Sequence, residues 1–157
     1  MALPIKCAFL AGGIAGKTSL ILSFKAIAYV ENNINNITIE DNFSANVTRK
    51  GRNVSLDITE IGGHFLLDCY DHVSSQASLW LNHICESMDV IVILFSLVEG
   101  TSTSLCDSVS ELCTEYVDSG STKPIVLVGT MSDRREERVI TYSKGLAKAV
   151  EIGAFKY

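Results

Sequence analysis

Apolar and polar residues follow one another along the chain in blocks that have the lengths of strands and helices. Short, mainly apolar runs such as Ile5–Leu10 and Val90–Ser96 are typical of strands buried inside a sheet. Longer stretches with apolar residues every three or four positions, such as Thr101–Val117, are typical of helices that pack by one face. Because strands and helices alternate, we predict an α/β fold with a mostly parallel, doubly wound sheet and helices on both faces.

The same pattern predicts the order of the elements. In chain order they are strand Ile5–Leu10, helix Lys17–Ala28, loop Glu31–Asn36, strands Ser44–Thr48 and Val54–Thr59 joined by a hairpin turn around Gly51, a mobile loop Glu60–Ser75, helix Ala77–Glu86, strand Val90–Ser96, helix Thr101–Val117, strand Pro124–Gly129, a charged loop Asp133–Arg138, helix Ser143–Ile152 and the start of a further strand in Ala154–Tyr157. Ligands in such folds bind at the carboxyl ends of the parallel strands.

A glycine-rich segment lies at that end of the first strand. The run Ala11-Gly12-Gly13-Ile14-Ala15-Gly16-Lys17-Thr18 matches the phosphate-loop pattern, except that Ala11 replaces the usual first glycine. Such a loop directs successive backbone N–H groups at a nucleotide's phosphates, and the helix that follows adds the positive end of its dipole. Lys17 would contact the β and γ phosphates, and the Thr18 hydroxyl would bind Mg²⁺. The alternative, an ordinary helix behind a flexible loop, explains neither side chain.

Composition narrows the class of protein. The 157 residues fit one globular domain, and a net charge of −5 argues against a surface that binds nucleic acid. Five cysteines without a Cys-x-x-Cys pair indicate reduced thiols rather than disulfides or a zinc site. The start of the chain contains no secretory signal, so a cytoplasmic protein is expected.

Further segments, read together with the loop, resemble the Ras superfamily of small GTPases, and its Rho/Rac branch most closely. They are Thr38–Val47, Asp57–His64, Leu94–Val98, Val126–Asp133, Ile140–Ala147 and Glu151–Tyr157. The resemblance spans nearly the whole chain and implies a P-loop NTPase G-domain that binds GTP or GDP with Mg²⁺ and hydrolyses GTP.

The resemblance also assigns residues to the site. Nucleotide contacts are expected from Gly12, Gly13, Ile14, Ala15, Gly16, Lys17, Thr18, Ser19, Tyr29, Thr38, Glu60, Gly63, Thr130 and Asp133; the metal from Thr18, Thr38 and Glu60; and catalysis from His64, Lys17 and Thr38. Thr38 matches the switch I threonine, which GTP orders and GDP releases. Tyr29 matches an aromatic residue that packs on guanine, and Asp133 matches the acceptor of the base.

Three of the departures from the family's pattern have chemical consequences for the metal, the water and the base. Glu60 replaces the aspartate that holds Mg²⁺ through water, and its extra methylene group displaces the carboxylate by about a bond length. His64 replaces the glutamine that orients the attacking water, so we expect slow intrinsic hydrolysis. Met131 replaces a lysine whose stem packs along the base, so guanine preference should survive with lower affinity.

Partners and biological role follow only by resemblance. Effectors and regulatory proteins would contact Thr38–Phe43 and the Glu60–Ser75 loop, and the Rho-like pattern is associated with cytoskeletal signalling. The chain 1–157 is expected to be one G-domain that is incomplete at its C-terminus, without the family's last helix or lipid anchor. A longer form with a lipidated tail would be peripheral to membranes.

Two other functions remain open. Five departures from the family's pattern allow a catalytically dead relative that acts as a binding scaffold: Ala11, Ile14, Glu60, His64 and Met131. Another phosphate-loop enzyme, such as a nucleoside monophosphate kinase, has less support, because no segment resembles a lid.

Overall fold

We analysed a computed structural model of the chain. It describes residues 3–11, 15–24, 40–62, 83, 86–98 and 123–157. The predicted loop Glu31–Asn36, the helix Thr101–Val117 and most of the helix Ala77–Glu86 lie outside these residues.

The described residues form a five-stranded sheet at the centre of the molecule. Its strands are β1 (Ile5–Ala11), β2 (Glu40–Arg49), β3 (Arg52–Ile61), β4 (Val90–Ser96) and β5 (Ile125–Thr130). The order across the sheet is β2-β3-β1-β4-β5. All neighbouring strands are parallel except β2 and β3, which are antiparallel. The predicted mostly parallel sheet is therefore confirmed.

Two α-helices of the described chain pack on opposite faces of this sheet. Helix α1 (Lys17–Phe24) places Ile21 against Cys7 and Ile58 on one face. Helix α2 (Tyr142–Glu151) contributes to the core of the other face through Ala149. The hydroxyl of Thr141 accepts a hydrogen bond from the N–H of Lys144, which caps the start of α2. Helices on both faces confirm the doubly wound arrangement.

The hairpin β2–β3 is longer than predicted, and this corrects the prediction for Glu60. The apolar and polar alternation indicated strands that end at Thr48 and Thr59, with a loop starting at Glu60. In the structure, Asp41 pairs with Glu60 and Glu40 pairs with Ile61, so pairing holds both residues in β3. Backbone hydrogen bonds to β2 thus extend the strand beyond the point where the side-chain pattern changes.

The turn of this hairpin confirms the role predicted for Gly51. Lys50 and Gly51 both have positive φ values, 51° and 73°. Two successive residues with positive φ are typical of the two-residue turns that match the twist of a hairpin. Glycine adopts this conformation without the steric cost that a side chain adds.

The last residues begin the further strand that the sequence predicts. The N–H of Phe155 donates to the carbonyl of Ile125, and the N–H of Leu127 donates to that of Lys156, at 2.8 and 2.9 Å. Val126 and Lys156 form a parallel bridge. Tyr157 then crosses α2 at Gly145, where a Cβ atom would lie 1.9 Å from the tyrosine hydroxyl.

Candidate functional site

The glycine-rich segment connects β1 to α1 at the carboxyl end of the sheet. Gly16 has a φ of 70°, a conformation that favours glycine over any residue with a side chain. Its carbonyl accepts a hydrogen bond from the N–H of Leu20, so the first turn of α1 begins there. Strand, glycine-rich loop and helix follow one another as the sequence predicts, although Gly12, Gly13 and Ile14 lie outside the described residues.

The structure gives a physical reason for the unusual Ala11. Its side chain is buried at the end of β1 in a cluster with Ala15, Val92 and Leu94. A methyl group fills space there that a glycine would leave empty. Ala11 therefore adds to the core at the end of β1.

Lys17 lies beneath this loop rather than on the surface. The residue is only 5% exposed, and its Nζ donates a hydrogen bond to the carbonyl of Ala11 at 3.4 Å. Burial lowers the pKa of the Lys17 ammonium, while the nearby Glu60 carboxylate opposes that shift. The lysine thus spans the loop from its last residues back to its first, and holds a positive charge next to it.

Thr18 joins the loop to β3. Its hydroxyl donates a hydrogen bond of 2.5 Å to Oε1 of Glu60. Because Phe9 of β1 pairs with Glu60 of β3, that carboxylate lies beside the end of the strand that leads into the loop. The pairing of the two strands and the start of α1 therefore bring together residues that are 42 positions apart.

Glu60 is a buried acid with an incomplete set of partners. It is 1% exposed, and its Oε2 has no hydrogen-bond partner within the described residues. Burial raises the pKa of the Glu60 carboxyl; the hydrogen bond from Thr18 and the charge of Lys17 oppose that rise, and the charge of Asp41 adds to it. A carboxylate oxygen left in this state favours the approach of a cation.

The oxygen atoms of Thr18 and Glu60 fit a hard divalent ion such as Mg²⁺. Magnesium in nucleotide sites is held by one or two protein oxygens, with water and phosphate oxygens completing its shell. No group of three or more His, Cys, Asp or Glu side chains able to hold a metal occurs among the described residues.

Thr130 is the last residue of β5, where it pairs with Ser96 at the end of β4, and Met131 follows it. The Thr130 hydroxyl donates to the carbonyl of Phe95 at 3.0 Å, and its own carbonyl accepts from the N–H of Leu97 at 3.2 Å. Met131 then adopts a φ of 58°, in the left-handed region. Backbone and side chain of Thr130 together fix the point at which the chain leaves the sheet.

Met131 connects this region to the phosphate loop. A Cβ atom added at Gly16 would lie 4.0 Å from the Cε of Met131, so the methionine lies directly over that glycine. Its sulfur accepts a hydrogen bond from the Ser96 hydroxyl at 3.4 Å. The apolar contact expected of this residue is thus available at the edge of the loop.

Asp133 follows on the surface. Its side chain is exposed, and its carbonyl accepts a hydrogen bond from the N–H of Arg135 at 3.0 Å. The next residue, Arg134, forms an ion pair with Glu137 across a short 3₁₀ helix, Arg135–Glu137. The carboxylate of Asp133 is therefore open to solvent beside a turn that is braced by its own hydrogen bonds.

The structure brings together part of the predicted site. Ala15, Gly16, Lys17, Thr18 and Ser19 lie where β1 passes into α1, Glu60 contacts Thr18, and Thr130 and Asp133 lie in the adjacent segment. The remaining predicted residues lie outside the described residues: Gly12, Gly13, Ile14, Tyr29, Thr38, Gly63 and His64.

Sequence reasoning assigned no role to Ser96. This serine is fully buried at the end of β4, donates to the sulfur of Met131 and accepts from the N–H of Val98 at 3.2 Å. A polar residue at the carboxyl end of an otherwise apolar strand was the signal that could have identified it. Ser96 positions the methionine that contacts the loop.

A central, mostly parallel sheet, a glycine-rich segment at its carboxyl edge and a buried lysine at the start of the next helix are typical of P-loop NTPases. The family model described as Ras family matches residues 6–157. The chain therefore belongs to the Ras family, whose members are GTP-binding small GTPases that act as switches and contact regulators and effectors. No helix within the described ranges is long and apolar enough to cross a membrane.

Proposed function

We propose that this protein is a Mg²⁺-dependent switch of the Rho-like type that binds GTP and GDP in the cytoplasm and hydrolyses GTP slowly. The observation that carries the proposal is the contact between Thr18 and the buried Glu60, next to the buried Lys17. A cation beside Glu60 and a polyanion beside Lys17 would each meet a side chain of opposite charge, so the two together suit the site better than either alone.

The phosphate side of the site is proposed to act as follows. Lys17 and the backbone of Gly12–Gly16 bind the phosphates, while Thr18, Thr38 and Glu60 hold the metal. When bound, the metal supplies charge stabilisation to the phosphate oxygens. Gly63 is proposed to contact the γ-phosphate through its N–H, so that the two switch segments sense which nucleotide is present.

The base side is proposed to select guanine. The exposed Asp133 accepts hydrogen bonds from the base, Thr130 and Tyr29 flank it, and Met131 provides an apolar wall. The support for this arrangement is the position of Met131, whose Cε would lie 4.0 Å from a Cβ atom added at Gly16, so the base side lies next to the loop.

A binding titration tests the proposal. We expect labelled GTP and GDP, but not ATP, to bind the wild-type protein in the presence of Mg²⁺, and Lys17→Ala to weaken that binding by about 10- to 100-fold, the value of a lost hydrogen bond to a charged group. Lys144→Ala is the matched control, since Lys144 is exposed on α2 away from the loop. Equal binding of ATP, or no binding at all, would contradict the proposal.

The rate of hydrolysis tests the role of His64. An imidazole does not offer the paired donor and acceptor of a glutamine amide, so we expect His64→Gln to increase single-turnover phosphate release by about tenfold or more. The same assay separates the switch from the scaffold. Tight guanine binding without measurable phosphate release in either protein would favour a catalytically dead scaffold.

Partners and location follow from the same proposal. Effector and regulatory proteins are proposed to contact Thr38–Phe43 and the Glu60–Ser75 segment, and cytoskeletal signalling is the process that the Rho-like pattern suggests. Within the described part of these segments, Asp41 and Asn42 are exposed on β2, the edge strand of the sheet. An open strand edge offers backbone hydrogen bonds to a partner.

A further inference from the structure

The Glu60 side chain is one carbon–carbon bond longer than an aspartate, and it is buried in the fold. Its Oε1 is taken by the Thr18 hydroxyl at 2.5 Å, whereas Oε2 is buried without a hydrogen-bond partner among the described residues. A buried carboxylate oxygen without a partner is rare in folded proteins. This oxygen therefore points to a ligand of the protein rather than to a contact within it.

Contact distance favours an ion over a water molecule at this oxygen. A hydrogen-bonded water needs about 2.7–2.8 Å between oxygen atoms, whereas Mg²⁺ approaches an oxygen ligand to about 2.0–2.1 Å. Glu60 is 1% exposed and its Oε2 is buried, so bulk solvent does not reach this oxygen. A metal ion is the neighbour that makes the shorter contact.

The position of Thr18 favours the same conclusion. Because its hydroxyl donates its hydrogen to Glu60, the lone pairs of Oγ1 remain available to a cation. Glutamate is also longer than aspartate by one carbon–carbon bond, about 1.5 Å. That length is comparable to the difference between a carboxylate that binds a metal directly and one that binds it through water.

We propose that Oε2 of Glu60 is a direct ligand of the divalent ion, next to Oγ1 of Thr18. This inference rests on the proposed function, since it concerns the ion that accompanies the nucleotide. Direct carboxylate ligation replaces one water of the metal's shell and places a full negative charge on the ion.

The water molecules bound to the metal can be counted when Mn²⁺ replaces Mg²⁺, because Mn²⁺ accepts the same oxygen ligands and is paramagnetic. The experiment loads the full chain with Mn²⁺ and GDP and counts metal-bound water by pulsed electron paramagnetic resonance in ¹⁷O-labelled water. We expect the wild-type protein to hold one water fewer than Glu60→Asp. Asp57→Asn is the matched control, since Asp57 lies on the same strand with its carboxylate bonded to the Ser44 hydroxyl, and its count should equal that of the wild type.

A second readout uses the wild-type chain alone, in case Glu60→Asp does not fold. Protein labelled with ¹³C-glutamate should show a strong carboxylate ¹³C coupling to Mn²⁺ in the GDP complex. Bound Mn·GDP without this coupling, or with equal water counts in the wild type and Glu60→Asp, would overturn direct ligation and leave the proposed function standing. Absence of any Mn·GDP complex would overturn both.

Discussion

The proposed phosphate side and the proposed base side of the candidate site are constructed in different ways. On the phosphate side, Lys17, Thr18 and Glu60 place charged and polar side chains at the end of β1 and β3, with the lysine and the glutamate buried. On the base side, Thr130 and Asp133 belong to a segment whose path is set by hydrogen bonds to β4, and the Asp133 carboxylate is exposed. The phosphate side therefore contains buried charged side chains, whereas the base side contains a backbone segment held by hydrogen bonds.

This difference indicates what each side requires from a ligand. Burying ionisable groups is costly, so the phosphate side is expected to gain most when an anion and a cation bind together. On the base side, the hydroxyl and carbonyl of Thr130 already have hydrogen-bond partners and Asp133 is exposed to solvent, so a base would add contacts without relieving a cost of burial. Changes on the phosphate side should therefore alter metal-dependent binding, whereas changes on the base side should alter stability or selectivity.

The largest expected effect comes from comparing two variants in which the same replacement, threonine by valine, is made once on each side. Thr18→Val removes the hydroxyl that contacts Glu60, so Mg²⁺-dependent GDP affinity should fall by about 10- to 100-fold. Thr130→Val removes a neutral hydrogen bond to the Phe95 carbonyl and should lower the free energy of unfolding by about 1 kcal/mol, with less than about a threefold change in affinity. Nucleotide titrations with and without Mg²⁺, together with urea unfolding, measure both quantities.

Thr48→Val serves as the control for this pair. The Thr48 hydroxyl bonds to Asn53 on the exposed face of the hairpin, at 2.7 Å, and this replacement should leave nucleotide affinity unchanged. If Thr18→Val and Thr130→Val reduced Mg²⁺-dependent affinity to the same extent, the contrast between the two sides would be wrong.

The sequence predicts the two sides unequally well. The strand, loop and helix around Lys17 follow from an apolar run, glycines and a second apolar period, which are all local signals. The position of Glu60 inside β3 does not, because it depends on pairing with Glu40 and Asp41 across the hairpin. Pairing of strands is a property of two segments at once, and one segment's pattern does not contain it.

The burial of the side chains on the phosphate side could not be predicted from the sequence either. Nothing in the order of residues distinguishes a surface glutamate from one that is 1% exposed, since burial depends on the elements packed around it. The left-handed conformation of Met131 is similar, because non-glycine residues with positive φ are uncommon and carry no strong sequence signal. Comparison with the family's pattern singled out Glu60 and Met131, whereas their burial and backbone conformation depend on the packed fold.

Met131→Lys should have an intermediate effect that sharpens the contrast. The added ammonium at the edge of the loop would contribute an exposed charge interaction, so GDP affinity should rise by about 2- to 5-fold and the gain should shrink at high salt. The lysine stem would occupy the place of the methionine side chain beside Gly16. Competition of GDP and ATP for the labelled nucleotide measures affinity and base selectivity together.

Met131→Leu is the matched control for this variant, because it keeps the apolar contact and adds no charge. Its affinity should stay within about twofold of the wild type, the size of change expected for a conservative apolar replacement. A gain from leucine equal to that from lysine would show that shape, rather than charge, limits binding on the base side.

The smallest expected effect concerns the surface turn behind Asp133. The side-chain hydrogen bond from Arg134 lowers the pKa of the exposed Glu137 carboxyl below its ordinary value of 4.5. A carboxyl whose pKa is lower in the folded chain stabilises the fold above the unfolded-state pKa, and this contribution is lost as the pH falls through the folded-state pKa. Arg134→Gln should move the Glu137 pKa up towards 4.5, as followed by NMR titration of its carboxyl carbon, while Arg135→Gln should leave it in place. Because the pair is solvent-exposed, neither variant should change GDP affinity at neutral pH, and a clear loss of affinity in Arg134→Gln would show that the base side depends on charge as the phosphate side does.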